Sequence, residues 1–152
     1  PSQGGTAHAQ GPFCSIRKME SQFEIKILRQ HWINDDGQDD PYDLCSHGEV
    51  YLRIGKDEIV KDEEGPWALS STALYLMRTV DIDYEVGRFG SQLIPCCGHF
   101  FIPDEEGDSV TIRGCSKGID WTIKHIENNK IKHTANSGEE SIIDKEDYKE
   151  II

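Results

Sequence analysis

No stretch of this chain approaches the roughly 20 consecutive apolar residues that a membrane-spanning helix needs, and the first 18 residues contain no apolar core of the kind a secretory signal carries. Cations are scarce: 16 Lys and Arg stand against 28 Asp and Glu, a formal net charge of -12. A surface so biased repels phosphate backbones and anionic headgroups, which argues against nucleic-acid and membrane partners and for a basic protein partner. There is no glycine-rich phosphate loop and no solenoid-length repeat. Cysteine is sparse and odd in number, 5 in all and in no framework spacing, which reads as reduced thiols in a cytoplasmic compartment.

What is present is a globular composition rich in Ile, Tyr, Phe and Trp, with 152 residues enough for one domain. The first 18 residues lack any acid and read as a disordered extension, with Met19 as a natural start and residues 19–152 as a single α+β domain. Phe23, Ile25 and Ile27 alternate with Glu24 and Lys26, the pattern of a half-buried strand. The acidic loop that follows, Asn34 to Pro41, superficially suggests a calcium-binding loop. Aligning Gly37 with the invariant glycine puts Trp32 where the first carboxylate belongs, so that reading fails.

A second strand is expected over Glu49–Ile54, with Val50, Leu52 and Ile54 on one face, reversing at Gly55-Lys56-Asp57 into Glu58–Val60. The strongest helical periodicity covers 70–84, with Ser70 or Ser71 as N-cap. Ala73, Leu76, Met77, Val80 and Tyr84 form its apolar stripe, so Leu76 and Met77 should be buried. From Cys97 onward the pattern is a four-strand meander: Cys97–Ile102, Ser109–Arg113, Ile119–Ile126 and Lys130–Thr134. Its turns fall at Pro103–Asp108, Gly114–Gly118 and Asn128-Asn129. His125 and His133 alternate with lysines and are assigned to its solvated face. Asp144-Lys145-Glu146-Asp147 has the acids of a helix start. The fold expected is α+β: an antiparallel sheet of six or seven strands with one main helix packed on one face.

Two constellations carry possible chemistry. Cys45-Ser46-His47 and Cys97-Gly98-His99 share a Cys-x-His shape, and residues i and i+2 of an extended chain project from one face. On neighbouring strands Cys45, His47, Cys97 and His99 would offer the four ligands of a tetrahedral zinc site, with Cys96 or Cys115 as substitutes. The bland alternative is that these cysteines are simply buried and no cofactor is bound. The adjacent Cys96-Cys97 pair lacks a nearby base to lower a thiol pKa, and no single histidine is singled out as partner to a nucleophilic cysteine. The second constellation is the set of acidic loops at 35–43, 62–64 and 104–108. There Asp39, Asp40, Asp104 and Glu105 could steer a basic partner. Carboxylates in open polar loops lack the burial that acid–base catalysis requires.

The runs DPYDLCSHGEVYLRIG and CCGHFFIPDEEGDSVTIRGCSKGIDW resemble members of an uncharacterised bacterial family over most of the chain from Cys45 onward. In size, acidity and α+β pattern the chain also resembles small immunity proteins of bacterial toxin systems, which implies a basic toxin as partner. The reading favoured is an acidic cytoplasmic protein-binding module, possible immunity type, without enzymatic activity. The alternatives are a zinc-stabilised or zinc-dependent domain built on the Cys-x-His pairs and, third, an unrecognised hydrolase.

Overall fold

We describe residues 23–32, 45–61, 65–96, 100–113 and 117–152 from a computed structural model. Strand β1 (Phe23–His31) pairs antiparallel with β2 (His47–Ile54), from Phe23 opposite Ile54 to His31 opposite His47. The reversal at Gly55-Lys56 leads into β3 (Asp57–Val60) as expected. Gly55 takes a φ of +62°, a conformation that favours glycine. A short strand the sequence pattern did not announce, β4 (Trp67–Ala68), pairs with the start of β2. Val50, Leu52 and Ile54 are buried on one face of β2, as their alternation predicts. The alternation of β1 holds less well. Phe23 is buried, but Ile27 is 63% exposed, and the β1–β2 register shifts between Ile27 and Arg29. Such a bulge re-aims the side chains around it.

Helix α1 covers Leu69–Thr79, shorter than 70–84 at its C-terminal end. Its buried face is Leu69, Thr72, Tyr75, Leu76 and Thr79, with Ser71, which corrects the expected stripe: Leu76 is buried but Met77 is 61% exposed. The two threonines explain the rotation. Thr72 Oγ1 donates to the Ala68 carbonyl at 2.9 Å, and Thr79 Oγ1 donates to the Leu76 carbonyl at 2.7 Å. With their hydroxyls satisfied inside the helix, they can face the core. Tyr84 lies beyond the helix, in a bridge to Ile123. The expected serine cap is also corrected. The N-cap position is Ala68, without a side-chain bond, while Ser70 Oγ accepts from the Ser46 N–H at 2.9 Å.

After α1 come β5 (Ile94–Pro95), β6 (Phe100–Pro103), β7 (Val110–Arg113), β8 (Gly118–Ile119), β9 (Thr122–Ile126), β10 (Lys130–Thr134) and β11 (Glu140–Asp144). The chain then enters α2 (Lys145–Ile151), where the acids of Glu146 and Asp147 fill the first turn. Among the described residues all pairings are antiparallel, but they form several small sheets rather than one of six or seven strands. The expected meander is interrupted: among the described residues β6 and β7 pair with each other alone, while β8 reaches back to β5. The third piece, β11–β10–β9, is continuous, and Asn128 and Asn129 turn it with φ of 61° and 57°. Asparagine tolerates that left-handed region better than most residues.

One hydrophobic cluster joins these pieces. Val50, Leu52, Ile54 and Val60 meet Ile123, Ile131 and Ile143, with Leu69, Tyr75 and Leu76 of α1 and Tyr148 of α2. Phe23 is its aromatic centre: it stacks on His133 at 3.8 Å and meets Tyr148 edge-on at 5.7 Å.

Candidate functional site

The two halves of the proposed zinc constellation fare differently. Cys45 is half-buried just before β2, and His47 opens β2, buried, with His31 opposite it on β1 and Ala68 opposite it on β4. Cys97 and His99 lie outside the described residues, as does Cys115. Among the described residues, no group of three or more His, Cys, Asp or Glu side chains comes together as a metal would require. Cys96 is half-buried after β5, its backbone N–H donating to the Lys117 carbonyl at 3.1 Å.

Of the acidic residues, Asp39 and Asp40 also fall outside the described residues. Asp104 and Glu105 stand at the exposed tip between β6 and β7. They are not equivalent. Asp104 Oδ1 accepts from the N–H groups of Gly107 at 2.6 Å and Asp108 at 3.0 Å, and Oδ2 accepts from Ser109 Oγ at 2.7 Å. The Ser109 hydroxyl is the main cause holding this carboxyl below the usual range, with the loop N–H groups adding to it. Asp104 thus organises the turn, while Glu105, Glu106 and Asp108 project into water without an ion pair among the described residues.

Two polar knots escaped the sequence reading. Asp120 is buried between β8 and β9. Its Oδ2 accepts from Tyr84 Oη at 2.9 Å and the Gly87 N–H at 3.1 Å, and its Oδ1 from the Leu93 N–H at 3.2 Å. Burial outweighs these donors and holds the Asp120 carboxyl above its usual range; burial, then the Asp120 charge, pushes the Tyr84 phenol up. With both oxygens occupied by the chain itself, the carboxylate fastens the 84–93 segment and has no lone reactive face. The second knot lies at the end of α1. His125 Nδ1 faces Asp83 Oδ1 at 2.9 Å and Nε2 faces the Val80 carbonyl at 2.9 Å. Both partners offer acceptor oxygens, and together they fix the plane of the ring. The His125 backbone N–H, followed by its ring, holds the Asp83 carboxyl below its usual range. No local sequence signal pairs residues 83 and 125.

An apolar groove of about 240 Å³ opens between β1 and α1. Ile25, Ile27, Leu69, Ala73 and Leu76 line it, and Ile151 and Ile152 from the end of α2 border it. The alternation of β1 gives the apolar face of a half-buried strand but does not mark which part of that face stays open. Lys26 also lines the groove, ion-paired with Glu24, whose other carboxylate oxygen takes Arg53 at 2.9 Å.

No protein-family model, no curated protein and no solved structure matches the chain. Function is therefore argued from these surfaces. Among the described residues, no helix is long and apolar enough to cross a membrane.

Proposed function

We propose that the chain is an acidic protein-binding module whose partner is a basic protein, of the kind a toxin neutralised by an immunity protein would be. The carrying observation is the uncompensated acidity of the surface. The net charge is -12, and Glu105, Glu106 and Asp108 stand exposed on a hairpin tip ordered by Asp104. Fixed negative charge on an ordered protrusion raises encounter rates with a cationic surface. The other buried or paired acids support the same reading by being committed to the fold. The zinc-dependent alternative would rest on Cys45, His47, Cys97 and His99 acting together, and the described residues supply no third ligand beside the first two.

The test is kinetic. Association with a basic protein partner should slow as salt is raised, and should slow again in a Glu105→Gln, Glu106→Gln, Asp108→Asn variant. Asp104 is left intact, since its removal would disturb the turn as well as the charge. A partner bound at a rate indifferent to both treatments would end the steering argument.

A further inference from the structure

We propose that the groove between β1 and α1 is a docking site for a basic amphipathic segment of the protein partner. One large apolar side chain would seat in the groove while Lys or Arg side chains lie against α2. This rests on the reading of the chain as a module for a basic protein and assigns it a second surface, apart from the β6–β7 tip. The size of the groove suits a side chain: an apolar cavity of about 150 Å³ already holds a benzene-sized group, and this one measures about 240 Å³. Its lining lacks the convergent polar groups that orient a cofactor or small substrate. Thr72 is the lone hydroxyl among the lining residues, and it is spent on the Ala68 carbonyl.

Exposure marks the same place. Ile27 is 63% exposed and Ile151 38%, on opposite sides of the opening, and Met77, one turn after the lining residue Ala73, is 61% exposed. Charge then selects the occupant. The groove's own cation, Lys26, is ion-paired with Glu24, which it shares with Arg53. On α2, Lys145 is taken by Asp81 and Lys149 by Glu146, which leaves exposed Asp147 and Glu150 without an ion pair among the described residues. Asp147 stands one helical turn before Ile151, so acid and apolar wall share a face. A basic helix laying its apolar stripe into the groove meets both features. A second copy of this chain would bring the same acids against each other, at an electrostatic cost.

Fluorescence anisotropy with three labelled synthetic helical peptides tests this: a Leu/Lys amphipath, a Ser/Lys peptide of equal charge, and a Leu/Glu amphipath. The Leu/Lys peptide should bind about tenfold more tightly than the Ser/Lys peptide, the effect of one buried anchor, and the Leu/Glu peptide should not bind. Ile27→Ser and Ala73→Lys alter exposed side chains, and their melting curves report that the fold survives. Both should remove the advantage of Leu over Ser, and an Asp147→Lys, Glu150→Lys variant should weaken both lysine peptides. If the two lysine peptides bind alike, or Ile27→Ser and Ala73→Lys leave the difference intact, the groove is overturned and the acidic-module reading stands. Equal binding of the Leu/Glu and Leu/Lys peptides would overturn the basic-partner reading and this proposal with it. A dimer seen by sedimentation and dissociated by Ile27→Ser would give the groove to a second copy and overturn the proposal.

Discussion

His133 is fully buried, stacked on Phe23 at 3.8 Å and edge-to-face with Tyr148 at 5.0 Å, and its Nδ1 accepts from Trp121 Nε1 at 3.1 Å. That bond places the single proton of a neutral ring on Nε2, which finds no acceptor among the described residues. Burial lowers its pKa to about 3, because desolvation disfavours the charged ring. The consequence for stability has a definite sign. The unfolded chain takes up a proton below about 6.5 and the folded chain does so only near 3, so stability contributed by the neutral ring is intact above 6.5 and drains away as the pH falls through that window. The steepest loss is about 1.4 kcal/mol per pH unit. Urea melts of wild type and His133→Phe from neutral to acid pH should show the wild type falling more steeply, whatever offset the unpaired Trp121 N–H adds to the variant. Parallel curves would refute the account. The alternation of β10 already put His133 on the face of Ile131, opposite Lys130 and Lys132. Counting histidine as a surface residue overrode a pattern that was legible, which is why it was first assigned to solvent.

At the scale of elements, what could be read locally was read well. The Val50-Leu52-Ile54 face, the turns at Gly55-Lys56 and Asn128-Asn129, the hairpin closed by Pro103 to Asp108, and a helix near 70 all depend on residues close in sequence. The buried face of α1 was misjudged because its threonines satisfy their own hydroxyls, and hydropathy alone scores them as polar. The start of α1 is fixed from outside. The Leu69 N–H donates to the Ser46 carbonyl at 2.7 Å and Ser70 Oγ receives the Ser46 N–H, so the strand entering β2 does the capping. Gly48, two residues further on, shows how tight this junction is. A Cβ there would meet the Arg29 carbonyl oxygen at 2.1 Å and Leu69 Cδ1 at 2.8 Å. Leucine can rotate away, but a paired backbone oxygen cannot. Gly48→Ala should therefore destabilise by about 1–3 kcal/mol, the usual cost of overpacking, despite alanine's better intrinsic fit to an ordered backbone. Chemical denaturation measures it, and an unchanged midpoint would mean that β1 and α1 part more easily than their bonds suggest.

The whole molecule is where the sequence was least legible, because its pieces are joined by contacts far apart in the chain. Phe23 meets His133, Tyr84 meets Ile123, and the 135–139 turn clasps the β2–β3 turn through Ser137 with Asp57 and Glu139 with the Lys56 N–H. Periodicity sets which face of a strand is apolar but not which strand lies beside it, so several small sheets could not be told from one large one. Of the candidate site, the acids at 104 and 105 were legible as an exposed turn; the groove was not, since alternation places Ile27 on the face of Phe23 and Ile25, opposite Val50, but does not say that this end of the face is left uncovered. Charge, by contrast, is a property of the whole that the sequence states directly. The ion pairs of Lys124 with Glu85, Lys132 with Glu140 and Lys145 with Asp81 join partly exposed side chains, and such pairs are worth little individually. The self-repulsion of a net -12 acts over the entire surface. Screening should therefore relieve more repulsion than it costs in attraction. Raising sodium chloride from about 0.01 M to about 0.15 M shortens the Debye length from about 30 Å to about 8 Å, and Tm should rise across that range. Replacing Glu105 and Glu106 with glutamine should raise Tm at low salt and matter less at high salt. A Tm that falls with added salt would show that the ion pairs outweigh the repulsion, and that the acidic surface is more nearly balanced in space than its composition implies.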